Sequence, residues 1–141
     1  MNARTIAYWV VTAYVAMAMF STGLEELLDA SIGLNLGAWV AFTKILGYPL
    51  YFFGIIGTWK ILGAIAILVP RFPRVKEWAY AGIFFNMSGA TISWLAVVPF
   101  GAPLINDLII DLHLLILCVV SWALRPQSRT LGVLFPAKIH E

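Results

Sequence analysis

Tyr48-Pro49-Leu50-Tyr51-Phe52-Phe53-Gly54-Ile55-Ile56-Gly57-Thr58-Trp59-Lys60-Ile61-Leu62-Gly63-Ala64-Ile65-Ala66-Ile67-Leu68-Val69 carries a single charge, Lys60, near its middle. As a helix, the run is long enough to cross a hydrocarbon core about 30 Å thick. A lysine at that depth costs about 2.5–3.5 kcal/mol on insertion scales, so it needs a partner or water. The stretch predicts a membrane-spanning helix with a polar spot built into it.

The rest of the chain agrees. Of 141 residues, 62% are hydrophobic and 11% charged, with a mean hydropathy of +0.91. Globular domains carry about 25% charged residues. The deficit is expected of a chain that faces lipid and neighbouring helices. The length suits one domain spanning residues 1–141. A net charge of +2, with no stripe of Lys and Arg interleaved with aromatics, excludes nucleic-acid binding. Cys118 is the only cysteine, which rules out an intramolecular disulfide, a CxxC redox pair and a thiolate zinc cage. The thiol chemistry of vitamin K epoxide reductases, which also use a small membrane helix bundle, goes with them.

The gaps between charges predict an all-α, polytopic four-transmembrane-helix bundle. Its spans are residues 5–28, 45–69, 78–98 and 103–124, with 125–141 as a short cytoplasmic tail. Ala16-Met17-Ala18 could be read as a signal-peptide cleavage site, but the apolar run is longer than an ordinary signal core and only Arg4 precedes it. With four spans, Arg4, Arg71, Arg74, Lys76, Arg125, Arg129 and Lys138 all fall on one side. The positive-inside rule then puts both termini in the cytoplasm of a bacterial inner membrane. Trp9, Phe72, Trp78 and Trp122 fall near the inner interface, and Tyr48 and Tyr51 near the outer one. Residues 29–44 are too apolar for an ordinary loop, with Leu34, Leu36, Trp39, Val40 and Phe42. They predict an interfacial or re-entrant segment between the first two spans. Leu131, Val133, Leu134 and Phe135 would hold the tail on the membrane surface.

The candidate intramembrane polar core is Lys60, Asp111, Glu26, Asn86, Asp107, His113 and Glu25. Gly57, Gly63 and Ala64 lie three or four positions from Lys60, which marks its face as a packed one. Tyr8, Thr12, Met19, Thr22 and Glu26 align on one face of the first span. Asp107 and Asp111 share a face of the fourth. Asp111 and Glu26 are thus the first candidates to pair with Lys60, and Glu25 reads as a carboxylate solvated at the outer boundary. His113 points to a different face from Asp111 and reads as a packing residue; with His140 in the tail, no metal site is expected. Ala79, Gly82, Asn86, Gly89 and Ser93 form a small-residue stripe on the third span, read as a close-packing face with Asn86 bonding to another helix.

Several stretches resemble one family: Leu46-Gly47-Tyr48-Pro49-Leu50-Tyr51, the lysine segment from Gly57 to Leu68, Pro70-Arg71-Phe72-Pro73-Arg74-Val75-Lys76-Glu77-Trp78, Gly89-Ala90 and Ser121-Trp122-Ala123-Leu124-Arg125-Pro126. Together they are similar to the DoxX-like family of small four-helix membrane proteins, over nearly the whole chain. The family pattern has His after Ser93 and Gly-Asp a few residues later, where this chain has Trp94, Val98 and Pro99. A site built on that His and Asp would be lost or moved here. The resemblance implies a subunit of a quinone-linked sulfur oxidoreductase, a component of an oxidative-stress membrane complex, or an assembly factor like a distant animal relative that assists receptor assembly.

The leading expectation is an accessory subunit or assembly partner of a membrane redox complex, not catalytic on its own. It sits in the lipid bilayer as a homo-oligomer or a hetero-complex with a membrane partner. No cofactor motif is evident, and a quinone is the cofactor the resemblance allows. One alternative is a quinone-interacting oxidoreductase subunit with Lys60 and a carboxylate near the head group. The other is a proton-coupled or small-solute carrier using Lys60 and Asp111.

Overall fold

The computed structural model describes residues 3–34, 39–98 and 102–130. The described chain is all-α, with five α-helices and a closing 3₁₀ turn. Helix α1 is Ala3–Ile32, α2 Trp39–Leu46, α3 Leu50–Leu68, α4 Pro73–Val97 and α5 Ala102–Leu124. Two of them, α1 and α3, are long and apolar enough to cross a membrane. Helix α5 contributes the apolar stretch Leu108–Leu124. Helix α4 has the length, but Asn86, Ser88, Thr91 and Ser93 dilute its apolar character.

The reading of one span over residues 45–69 is corrected: the chain turns at Gly47 to Pro49. Gly47 sits at φ 75°, a left-handed conformation that suits glycine. Pro49 then caps the start of α3 in extended geometry. The third expected span also starts earlier, at Pro73, which occupies the first turn where its missing N–H costs nothing. Ahead of it, Arg71 and Phe72 both take positive φ, making a tight reversal between α3 and α4. Lys76 ties that reversal down. Its Nζ donates to the carbonyl oxygens of Ala66 at 2.8 Å and Ile67 at 3.4 Å, and to that of Val69. These are carbonyls that the end of α3 leaves without helical partners.

Helices α1 and α3 make the most extensive contact. Gly54 meets Ala30, Gly57 meets Glu26 and Leu27, and Lys60 meets Gly23, a descending series that only antiparallel helices give. Contacts of α4 with α3, α5 with α4 and α5 with α1 close a ring. Inside it Val15, Met19, Ala64, Ile67, Ile83, Met87, Leu114 and Cys118 form the buried apolar core. Outside it, Val10, Met17, Ile55, Trp59, Phe85, Ile92, Ile109 and Ile116 are exposed, while Thr12, Glu26, Asp29, Lys60, Lys76, Ser121 and Arg125 are buried. A water-soluble fold would distribute these groups the other way round.

At Gly57 an added Cβ would lie 2.5 Å from the Gly23 carbonyl oxygen, and at Gly23 one would lie 2.8 Å from the Gly57 oxygen. The two backbones can come this close only without side chains at these positions. At Gly82 an added Cβ meets nothing within 4 Å. Gly57→Ala should therefore destabilise by about 1–3 kcal/mol through overpacking. Gly82→Ala should be neutral, or stabilising by up to about 1 kcal/mol through helix propensity. Thermal unfolding in one detergent reads the difference, and equal shifts for the two variants would overturn the close-approach account.

Candidate functional site

Lys60 is 8% exposed and Glu26 1%. Lys60 Nζ donates to Glu26 Oε1 at 2.5 Å, across the α1–α3 seam. The glycines set this geometry. Gly23 lies beside the Lys60 Cβ and Gly57 beside the Glu26 Cβ, so each charged side chain leaves its helix over a residue that has none. The second oxygen, Glu26 Oε2, is buried without a hydrogen-bond partner. The indole of Trp39, from α2, sits over the Lys60 ammonium with 5.2 Å to the ring centroid. A cation over an aromatic face is attracted by the ring quadrupole, more strongly where water is excluded.

The pair lines a cavity of about 900 Å³ between α3 and α4, with α2 across one end. The cavity runs from Val75 and Trp78 to Tyr48 and Ser93. Trp59, Trp78 and Phe85 line it and are themselves 65%, 78% and 69% exposed, so it opens sideways between the two helices. Its walls are apolar and rich in aromatic rings. Phe42 of α2 meets Trp94 edge-on at 5.0 Å, and Trp39 packs on Phe53 at 5.7 Å. Ser93 Oγ donates to the Gly89 carbonyl at 2.8 Å, so the 2.9 Å bond between Tyr48 and Ser93 has the Tyr48 hydroxyl as donor. That bond ties the segment before α3 to α4. Trp94 is a buried wall of the cavity.

Of the seven candidate residues, five line this cavity: Lys60, Glu26, Glu25, Asn86 and Asp111. Glu26 closes on Lys60. Asp111 and Glu25 are near enough to act on Glu26 electrostatically. Asn86 is corrected: it was expected to bond to another helix, but its Nδ2 is buried with no hydrogen-bond partner. The small-residue stripe around it is corrected too, since Gly82 and Gly89 have nothing within 4 Å of an added Cβ and line the cavity. His113 is exposed on α5 and stacks edge-on against Tyr14 at 5.5 Å, away from the cluster. The Asp107 side chain, Pro99, Lys138, His140 and the apolar tail residues 131–135 lie outside the described residues.

A second buried polar group was only half legible. The Tyr8 and Thr12 spacing was visible, but Ser121 and Tyr80 gave no signal. Thr12 Oγ1 donates to the Tyr8 carbonyl at 2.6 Å, which leaves it an acceptor for Ser121 Oγ at 2.7 Å. Ser121 in turn accepts from the Tyr80 hydroxyl at 2.7 Å. Each hydroxyl thus donates once and the chain of bonds ends on a carbonyl. Beyond it lies the basic end. The Arg125 guanidinium bonds Glu77 at 2.7 Å and covers Tyr80. Arg129 lies over Trp9 at 4.3 Å and donates to the carbonyls of Ile67 and Leu68, both at 3.2 Å. Arg4 donates to the Ala123 carbonyl at 3.1 Å. These cations sit on the carbonyl ends of α3 and α5, where the helix dipole favours positive charge. Trp39 was read only as part of an apolar connection, and its place over Lys60 had no sequence signal.

The chain belongs to the DoxX-like family, whose model matches residues 10–122. That range holds every described residue lining the Lys60 cavity. No curated protein and no solved structure matches the chain.

Removing one partner of a buried ion pair typically costs about 3–5 kcal/mol, because the other charge is left unmatched. Lys60→Met and Glu26→Gln should each lower the unfolding temperature in detergent. The double variant should recover part of the loss, because it removes both charges. Strictly additive losses would show that the two side chains do not act as a pair.

Proposed function

We propose that this chain is a four-helix membrane bundle in a bacterial inner membrane, with both termini cytoplasmic and α2 at the outer face. Within it, the chain serves as a small accessory subunit of a membrane redox complex. It holds a quinone in the Lys60 cavity for a partner that delivers or takes the electrons. The observation that carries the ligand is the cavity itself: mostly apolar and aromatic, open sideways between α3 and α4, with Lys60 and Glu26 in its lining. A sideways opening suits a ligand that arrives from lipid. The membrane reading is supported by family membership, by the two helices long and apolar enough to span, and by the exposed apolar exterior around a buried polar interior.

The lining offers apolar and aromatic area to a quinone ring. Trp39 and Asn86 line the cavity, and their Nε1 and Nδ2 atoms are buried without hydrogen-bond partners, so either would have to turn into the cavity to meet a ring carbonyl. A bound quinone supplies two-electron carrier chemistry that none of these side chains has. The chain's own residues bind the ring, orient it and keep water away. A partner then has to reach the cavity, which supports the expectation of a homo-oligomer or a hetero-complex in the bilayer.

The core favours this reading over a carrier. Between the Lys60–Glu26 pair and the Tyr8–Thr12–Ser121–Tyr80 group lie Val15, Met19, Ile67, Ile83 and Met87, all buried and apolar. A solute crossing from one polar group to the other would have to pass this layer.

Reporter fusions after Arg74 and after Arg129 should both read cytoplasmic; an external signal from either would overturn the topology. Extraction of protein purified in mild detergent should yield a quinone that is lost in Gly63→Leu, which fills the cavity wall. Equal recovery from parent and variant would place the quinone elsewhere.

A further inference from the structure

The end of the molecule away from Lys60 carries more positive charge than its own contacts neutralise. Arg4, Arg71, Arg74, Lys76, Arg125 and Arg129 gather there, where α1 and α4 begin and α3 and α5 end. Among the described residues one carboxylate shares that end, Glu77, and Arg125 holds it at 2.7 Å. Arg125 and Arg129 stand near enough to Lys76 to act on it electrostatically. Bonds from these side chains to backbone carbonyls use their donors and leave the charges in place. The excess attracts an anion.

A pocket of about 530 Å³ opens at this end, between the start of α1, the end of α5 and the 3₁₀ turn Gln127–Arg129. Arg4, Thr5, Trp122, Arg125, Gln127 and Thr130 are in its lining. Among the described residues no carboxylate lines it. Arg125 is buried and committed to Glu77 and the Trp122 carbonyl, so it supplies charge and no contact. Arg4 is exposed. Its Nη2 donates to the Ala123 carbonyl at 3.1 Å, which holds the guanidinium at the end of α5. A guanidinium has five N–H groups in a fork that matches phosphate, so it can grip a phosphate at the same time.

The seam between α1 and α5 leads away from this pocket and is apolar. Ala7, Val11 and Tyr14 follow Arg4 at intervals of three, four and three, which keeps them on its face of α1. Ile116 and Val120 stand in the same way between His113 and Ala123 on α5. The Arg4–Ala123 bond pins the seam at one end, and Tyr14 against His113 at 5.5 Å pins it at the other. Arg4 and Tyr14 are ten residues apart, about 15 Å of helix. That is half of a hydrocarbon core about 30 Å thick, the depth of one leaflet.

We propose that the pocket and the seam form a site for an anionic phospholipid, with the phosphate head at Arg4 and one acyl chain along α1 and α5. The site is separate from the Lys60 cavity and rests on the membrane reading alone, not on the quinone. A zwitterionic lipid brings a cation of its own to an end already in excess of positive charge, so an anionic lipid is preferred. A free phosphate shares the head-group chemistry and has nothing to lay in the seam.

Native mass spectrometry of the intact protein in mild detergent counts bound lipids. Phosphatidylglycerol should bind several-fold more tightly than phosphatidylcholine with the same chains. Arg4→Gln keeps a donor for Ala123 and loses the charge. It should weaken phosphatidylglycerol binding about tenfold, the usual worth of a hydrogen bond to a charged group. Arg74→Gln removes an exposed cation of the same end from outside the pocket and should cost less than about threefold. Ala7→Trp fills the seam and should weaken binding with Arg4 in place. Glycerophosphoglycerol, the head group without chains, and inorganic phosphate should both bind far more weakly than the lipid. Equal losses in Arg4→Gln and Arg74→Gln, or equal binding of the two lipids, overturn the site in favour of diffuse attraction. Inorganic phosphate binding as tightly as the lipid, or unchanged affinity in Ala7→Trp, overturns the lipid as occupant. Should Arg4→Gln fail to fold, Ala7→Trp and the two-lipid comparison still decide. Recovery of the chain without detergent overturns the membrane reading and the lipid site with it. Quinone recovery should be equal in the parent and Arg4→Gln, so failure at one site is told apart from failure at the other.

Discussion

The contact between Gly23 and Gly57 sets the geometry of everything around it. Two helices normally pack 8–10 Å apart because side chains fill the space between them. Here each glycine faces the other's carbonyl, at a distance where a methyl group would not fit. The close approach turns Lys60 and Glu26, each three residues further along its own helix, toward the same point. Small residues let helices pack tightly where lipid supplies no hydrophobic drive between them. In this chain the same device brings two opposite charges to 2.5 Å in a buried site.

That arrangement explains why a charged pair and an apolar cavity coexist. Lys60 needs Glu26 to be tolerated inside the fold, and Glu26 satisfies it through a single oxygen. The remaining oxygen is buried without a hydrogen-bond partner, in a residue that lines a chamber walled by aromatic rings. Trp94 strengthens the apolar side of this balance. Its indole packs edge-on with Phe42 at 5.0 Å.

The two ends of the molecule solve different electrostatic problems. At the basic end Lys76, Arg125, Arg129 and Arg4 bond to helix-terminal carbonyls, to Glu77 and to aromatic faces. Such cations are structural caps. At the other end charge is buried between helices and next to a cavity. Between them the apolar core isolates one from the other.

Composition and charge spacing determine by themselves that the chain is helical and apolar, where its long helices lie to within a few residues, and that Lys60 needs a carboxylate. They do so because the cost of a lone charge and the length of an apolar run are local quantities. The sequence also narrowed the carboxylates to Glu26 and Asp111, and the lysine segment carried the family resemblance. Which carboxylate closes on Lys60 depended on the glycine contact, whose register is set by two helices at once. The break at Gly47 to Pro49, the exposure of Gly82 and Gly89, and Trp39 over Lys60 were decided only by the tertiary structure. An indole in an apolar connection and a glycine on a helix look the same in sequence whether they face a neighbour, a cavity or the outside. Only the packing of α2, α3 and α4 around a shared space distinguishes them.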